Sequence, residues 1–159
     1  MIEFEICPMT TDAEKEEKGY VHWKSWQETY KGLMPDHYLS SLTLEKCIKM
    51  AFRFPKNTLL LKVNHQTVGF SCVGNSLDTE GANELFAIYL LKEYYGQKLG
   101  YELLKRTVSS LADRRPLVLW VLRGNDRAIR FYEKFGFAFN GNEKACPFGM
   151  ELQMEMKRE

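Results

Sequence analysis

The chain has 159 residues, 45% hydrophobic and 27% charged, the balance of one soluble globular domain spanning 1–159 and too short for a second. At this length about 70% of the unfolded chain's surface is buried on folding, so neither disulfide nor metal staple is required. Lys plus Arg number 22 against 21 Asp plus Glu, a net charge of +1, which argues against a nucleic acid as main partner and leaves room only for a local anion site.

No stretch approaches the ~20 apolar residues of a membrane span. The start, Met1-Ile2-Glu3-Phe4-Glu5, lacks the basic, apolar texture of a leader, so a cytoplasmic protein without membrane contact is expected. Cys7, Cys47, Cys72 and Cys146 form no CxxC pair, and His22, His37 and His65 show no HExxH spacing. Reduced, packed thiols and no bound metal are the expectation.

The alternation from Ile2 to Cys7 predicts a strand with one buried face. Asp12 is the expected cap of an amphipathic helix carrying Val21, Trp23, Trp26, Tyr30 and Leu33, closed by Gly32 and Pro35. A second helical region runs from about Asp36 to Phe54, broken near Ser40-Ser41 and stopped by Pro55. Thr58 to Val63 and Thr67 to Val73 read as a hairpin about Asn64-His65-Gln66, and Glu84 to Leu91 as the next strand. A helical stripe then follows at Leu99, Leu103, Leu104, Val108 and Leu111. Leu117 to Leu122 has no polar face and predicts a strand covered on both sides. A helix over Asp126–Phe135 and strands near Phe137 to Lys144 and Gly149 to Met156 complete the chain. This order predicts an α/β fold, a mixed and mostly antiparallel sheet of about six to seven strands flanked by about four helices. It excludes a doubly wound dinucleotide fold, because no GxGxxG follows the first strand.

Two segments carry chemistry. Leu85 to Tyr101 is a strand, a loop with Gly96 and Gly100, and a helix start, where backbone N–H groups and the helix dipole suit a pyrophosphate. Asn125 to Phe137 places Asn125 at an N-cap, Ile129 and Tyr132 on one face, and Gly136 at the helix end. Between Lys92 and Lys134 ten basic residues face five acidic ones, with Arg123, Arg127 and Arg130 around Asn125.

Taken together, these segments resemble the GNAT family of N-acetyltransferases, in element order over nearly the whole chain and in motif from Glu84 to Phe137. The resemblance implies acetyl-CoA as cosubstrate, its pyrophosphate held by Tyr95, Gly96, Gln97, Lys98, Leu99, Gly100 and Tyr101 in the loop that corresponds to the family's Q/R-x-x-G-x-G/A pattern. Tyr95 departs from the usual Gln or Arg, and Lys98 from the first glycine. It further implies that Ile88 and Leu90 meet the acetyl and pantetheine groups, that Asn125 contacts the cofactor, and that Tyr132 faces its sulfur. A bulge is expected to splay the Glu84–Leu91 strand from Leu117–Leu122 and open a slot for pantetheine.

Amine acetylation needs loss of an amine proton, donors for an oxyanion, and a proton for the departing thiolate. Tyr132 is the candidate acid and Glu84 the candidate base. In the ribosomal-protein N-terminal acetyltransferases a glutamate stands five residues before the motif asparagine; here that residue is Trp120. The W-x-x-x-Y-x-G stretch from Trp26 to Gly32 resembles that of some polyamine and small-molecule acetyltransferases, so Glu28, Tyr30 and Asp36 are candidate acceptor-binding residues. The expected function is transfer of an acetyl group to a primary amine of a small molecule. A non-catalytic acyl-CoA sensor or docking module, and acetylation of a protein lysine or N-terminus, stay open as alternatives, and a homodimer is expected by analogy alone.

Overall fold

The computed structural model describes residues 2–158. Strand β1 (Glu5–Pro8) is followed by α1 (Asp12–Tyr30), α2 (Asp36–Ser41), α3 (Leu44–Arg53), β2 (Thr58–Val63), β3 (Gln66–Asn75) and β4 (Asn83–Leu90). A 3-10 turn (Lys92–Tyr94) then leads to α4 (Leu99–Ser109), β5 (Leu117–Leu122), α5 (Asp126–Phe135), β6 (Ala138–Cys146) and β7 (Gly149–Met156). The strands form one seven-stranded sheet ordered β1-β2-β3-β4-β5-β7-β6. Neighbours are antiparallel except β4 and β5, which run parallel.

Helix α1 starts one residue earlier than Asp12 suggests. Thr11 is the cap: its hydroxyl accepts from the Glu14 N–H at 3.1 Å, and Glu14 accepts from the Thr11 N–H at 3.0 Å, a reciprocal capping box. The second helical region divides at Leu42-Thr43, two residues beyond the expected break, because the Thr43 hydroxyl accepts from the Lys46 N–H at 3.2 Å and starts a new helix. Five α-helices therefore flank the sheet. Gly19 permits the α1–α3 crossing, since a Cβ there would lie 2.7 Å from the Ile48 Cα.

Glu14 also ties α1 to the sheet, with Lys62 Nζ 2.6 Å from its second oxygen. Lys62 and the N–H groups of Thr10 and Thr11 hold its carboxyl down to about 2, below the ordinary value of an unfolded chain. A depressed carboxylate contributes stability above its unfolded pKa and loses it as pH falls towards the folded one. Glu14→Gln is therefore expected to lower Tm at pH 7, with the deficit shrinking from about pH 5 to pH 2. A deficit independent of pH in thermal melts would show that packing alone accounts for it.

The unbroken run of β5 is covered on both faces. Leu117, Leu119 and Val121 pack with Leu104 of α4 and with Ala128, Ile129 and Phe131 of α5. Leu122 turns the other way, onto Met34, Leu39, Trp26 and Tyr30 of the α1–α2 region. No helix among the described residues is long and apolar enough to cross a membrane, and all four cysteines are free.

Candidate active-site cleft

Strands β4 and β5 pair only at Asn83–Leu117 and Glu84–Val118. Beyond Glu84 they part. Along β3 the pairing steps from Val73–Leu85 to Cys72–Ala87, leaving Phe86 as an unpaired extra residue of β4. Such a bulge bends the strand that carries it. The result is a cleft of about 500 Å³ reaching from the start of α4, through the slot between the strands, to Trp120 and Tyr30 on the α1–α2 side.

At one end lies the loop before α4. Gly96 (φ 82°) and Lys98 (φ 63°) both take left-handed backbone where they line the cleft, and turns of this kind can form an anion-binding concavity of peptide N–H groups. The first backbone hydrogen bond of α4 runs from the Glu102 N–H to the Lys98 carbonyl at 3.1 Å. Leu99, Gly100 and Tyr101 thus keep the unpaired N–H groups of a helix start, at its positive pole. The position where the motif carries its first glycine is the left-handed Lys98, which accounts for the usual preference there. Gly100 sits where a Cβ would meet the Phe131 ring at 3.5 Å, ordinary contact between α4 and α5.

At the other wall stands α5. The Asn125 side chain accepts from the Ala128 N–H at 3.4 Å as N-cap, and the Gly136 N–H bonds back to the carbonyls of Tyr132 and Glu133. The Tyr132 ring packs against Phe131 and Phe137, centroids 5.5 and 5.8 Å away, while its hydroxyl has no protein partner among the described residues. Burial, with the nearby Tyr30, pushes this phenol well above its ordinary range, so it is protonated at any physiological pH.

Of the sequence candidates, Tyr30, Ile88, Leu90, Tyr95, Gly96, Lys98, Leu99, Gly100, Tyr101, Asn125 and Tyr132 line this one cleft. Gln97, Glu28, Asp36 and Glu84 do not. Glu28 accepts the Lys92 N–H at 3.1 Å and so fixes the turn after β4, and Asp36 is the exposed first residue of α2. Glu84 lies where β4 and β5 are still joined, 9% exposed, accepting from Ser76 Oγ at 2.8 Å. Burial raises its carboxyl above the ordinary range.

Residues outside the sequence candidates also stand in the cleft, as Tyr89 does, or beside it. Trp26 Nε1 donates to the Tyr89 hydroxyl at 3.0 Å, which shares a further hydrogen bond with Tyr30 at 3.1 Å. Burial pushes the Tyr89 phenol up to about 12. Glu151 of β7 lies opposite Leu122, on the sheet face covered by Tyr30, and burial raises its carboxyl too. Among the described residues no Asp, Glu or His lines the cleft itself, while Lys98, Arg127, Arg130 and Lys134 do. Arg123 is engaged elsewhere, in an ion pair with Glu143 at 2.8 Å. Among the described residues no group of three or more His, Cys, Asp or Glu side chains is arranged to hold a metal ion.

A splayed parallel strand pair, a helix start facing the slot and a capped tyrosine helix beside it are the marks of an acyl-CoA-dependent transferase fold. The chain belongs to the acetyltransferase (GNAT) family, whose sequence model matches residues 20–137. It is 32% identical over 121 residues to the uncharacterized N-acetyltransferase YuaI of Bacillus subtilis strain 168, covering 72% of this chain and 69% of that protein. Over 82 residues it is 33% identical to a probable spermine N(1)-acetyltransferase of Bacillus subtilis subsp. natto. That match covers 46% of this chain and 54% of the relative, so the chain spans about half of that relative's length. In fold it is similar to the PaiA N-acetyltransferase of Thermoplasma acidophilum crystallised with coenzyme A, with TM-score 0.75, 24% identity, and 98% and 99% of the two chains covered.

Proposed function

We propose that this protein transfers the acetyl group of acetyl-CoA directly to a primary amine of a small molecule. The observation that carries the reading is the single cleft that joins the unpaired N–H groups of α4 to the Tyr132 hydroxyl through the gap between β4 and β5. The PaiA neighbour's coenzyme A and the spermine relative's name support, respectively, the cofactor and a polyamine-like acceptor.

In this reading the pyrophosphate sits on the N–H groups of the Gly96–Tyr101 loop, and the pantetheine arm fills the slot. The free edge of β4 near Ile88 to Leu90 offers backbone N–H groups to the carbonyl oxygen as it becomes an oxyanion. The amine nitrogen bonds to the carbonyl carbon, the C–S bond breaks, and the sulfur takes a proton. Tyr132 hydrogen-bonds the sulfur as charge develops there. Its raised pKa makes full transfer to a thiolate uphill, and the proton released by the attacking nitrogen makes up that difference. The acceptor enters from the side of Tyr30, Tyr89 and Trp120.

A carboxylate-free cleft binds the amine in its neutral form, so the base acts at the margin of the site. Glu151, on the face of Tyr30, fits that role better than Glu84, which is hydrogen-bonded to Ser76. Release of free thiol from acetyl-CoA, followed with a panel of diamines, polyamines and peptides for the wild type, Glu84→Gln and Glu151→Gln, tests the whole reading. Amine-dependent thiol release is expected with small primary amines, with kcat/KM lowered more in Glu151→Gln than in Glu84→Gln. Turnover confined to peptides would reassign the acceptor, and cofactor binding without turnover on any amine would favour a sensor.

A further inference from the structure

The positive side chains at the mouth of the cleft are not equivalent. Arg127, Arg130 and Lys134 recur at helical spacing along one face of α5. Arg127 alone is stacked, its guanidinium centre 3.9 Å from the centroid of the Tyr95 ring. Among the described residues it has no carboxylate partner. A guanidinium lying flat on an aromatic face keeps its in-plane N–H donors free and has less rotamer freedom to lose when it binds an anion. Tyr95 thus acts as a platform, and a basic group comes to this place from α5 instead of from the loop itself.

Coenzyme A presents two kinds of phosphate. The pyrophosphate is matched by the N–H groups at the start of α4, which leaves a 3′-phosphate monoester of about −1.5 to −2 charge without a partner from the backbone. We infer that Arg127, held by Tyr95, binds this 3′-phosphate and makes the protein discriminate between coenzyme A and its 3′-dephospho form. Bidentate recognition of a phosphate is what a preset guanidinium does better than the mobile Lys98 or Lys134 ammonium. The inference rests on the acetyl-CoA reading above.

Calorimetric titration with acetyl-CoA and with its 3′-dephospho analogue tests it, on the wild type, Arg127→Gln, Tyr95→Leu and Tyr95→Phe. Arg127 is exposed, so the substitution leaves the fold intact, and a thermal melt of each variant verifies this. The wild type is expected to bind acetyl-CoA roughly tenfold more tightly than the analogue, a ratio that falls to near one in Arg127→Gln. Tyr95→Leu gives up most of that ratio and Tyr95→Phe keeps it, since the ring is what matters. In turnover, Arg127→Gln raises the KM for acetyl-CoA with little change in kcat. Equal weakening towards both ligands would place the guanidinium on the pyrophosphate and overturn the inference, as would an unchanged ratio. Wild-type protein that binds neither ligand would instead remove the acetyl-CoA reading itself.

Discussion

Replacing Tyr132 by Phe is expected to lower kcat by roughly a hundredfold, the low end of what a positioned acid or base contributes, while the affinity for acetyl-CoA stays within about twofold. The ring and its contacts with Phe131 and Phe137 survive the change, so only the hydroxyl is removed. Burial holds that hydroxyl protonated well beyond neutral pH, so the wild-type rate carries no basic limb from Tyr132 in the accessible range. Any limb seen between pH 6 and 9 belongs to the amine or to a carboxylate. Steady-state rates with a saturating acceptor decide the matter: equal kcat in the two proteins across pH would remove Tyr132 from the chemistry.

The largest effect on stability is expected at Phe70, which is 1% exposed at the centre of β3. Its ring lies 5.8 Å from that of His22 and 5.7 Å from that of Tyr89, with the Lys18 ammonium 4.6 Å above it. Phe70→Ala leaves a cavity and costs about 3–5 kcal/mol, which for a domain of this size lowers Tm by on the order of 10 °C. The loss goes beyond apolar area, because Lys18 and His22 are buried polar groups that pack against this ring. His22 is held neutral by that environment, its pKa pulled down to about 4 by burial and by Lys18. Phe70→Leu should recover about half of the loss, whereas a drop of only 1–2 °C in Phe70→Ala would mean that the site collapses onto the missing ring. Because Tyr89 lines the cleft, Phe70→Ala should also raise the KM for the acceptor.

Much of this architecture is legible in the residues. Leu117 to Leu122 reads as a doubly covered strand because it has no polar face, and the structure places α4 and α5 on one side and the α1–α2 region on the other. The errors of detail are local competitions. Thr11 displaces Asp12 as cap because Glu14 completes its capping box, and Thr43 moves the helical break because it caps α3. The Gly96–Tyr101 loop and the Asn125–Phe137 segment were readable because each is continuous in sequence.

What depends on tertiary approach was not readable. Glu84 does not line the cleft, because strand pairing persists to Glu84–Val118. Glu28 is taken up by a backbone N–H sixty-four residues away. Glu151 comes to the face of Tyr30 only through the β5–β7 pairing that sets it opposite Leu122. The Arg127–Tyr95 stack exists only because the first turn of α5 folds against the loop before α4.

Calorimetric titration of the purified protein with acetyl-CoA, at low and at raised salt, goes most directly to whether the cleft is a coenzyme A site. Saturable one-to-one binding in the micromolar range, weakened by salt as expected for a polyanion on Lys98, Arg127 and their neighbours, is the predicted result. No binding at millimolar acetyl-CoA at either salt concentration would contradict it, and would mean that the Gly96–Tyr101 loop does not hold the cofactor.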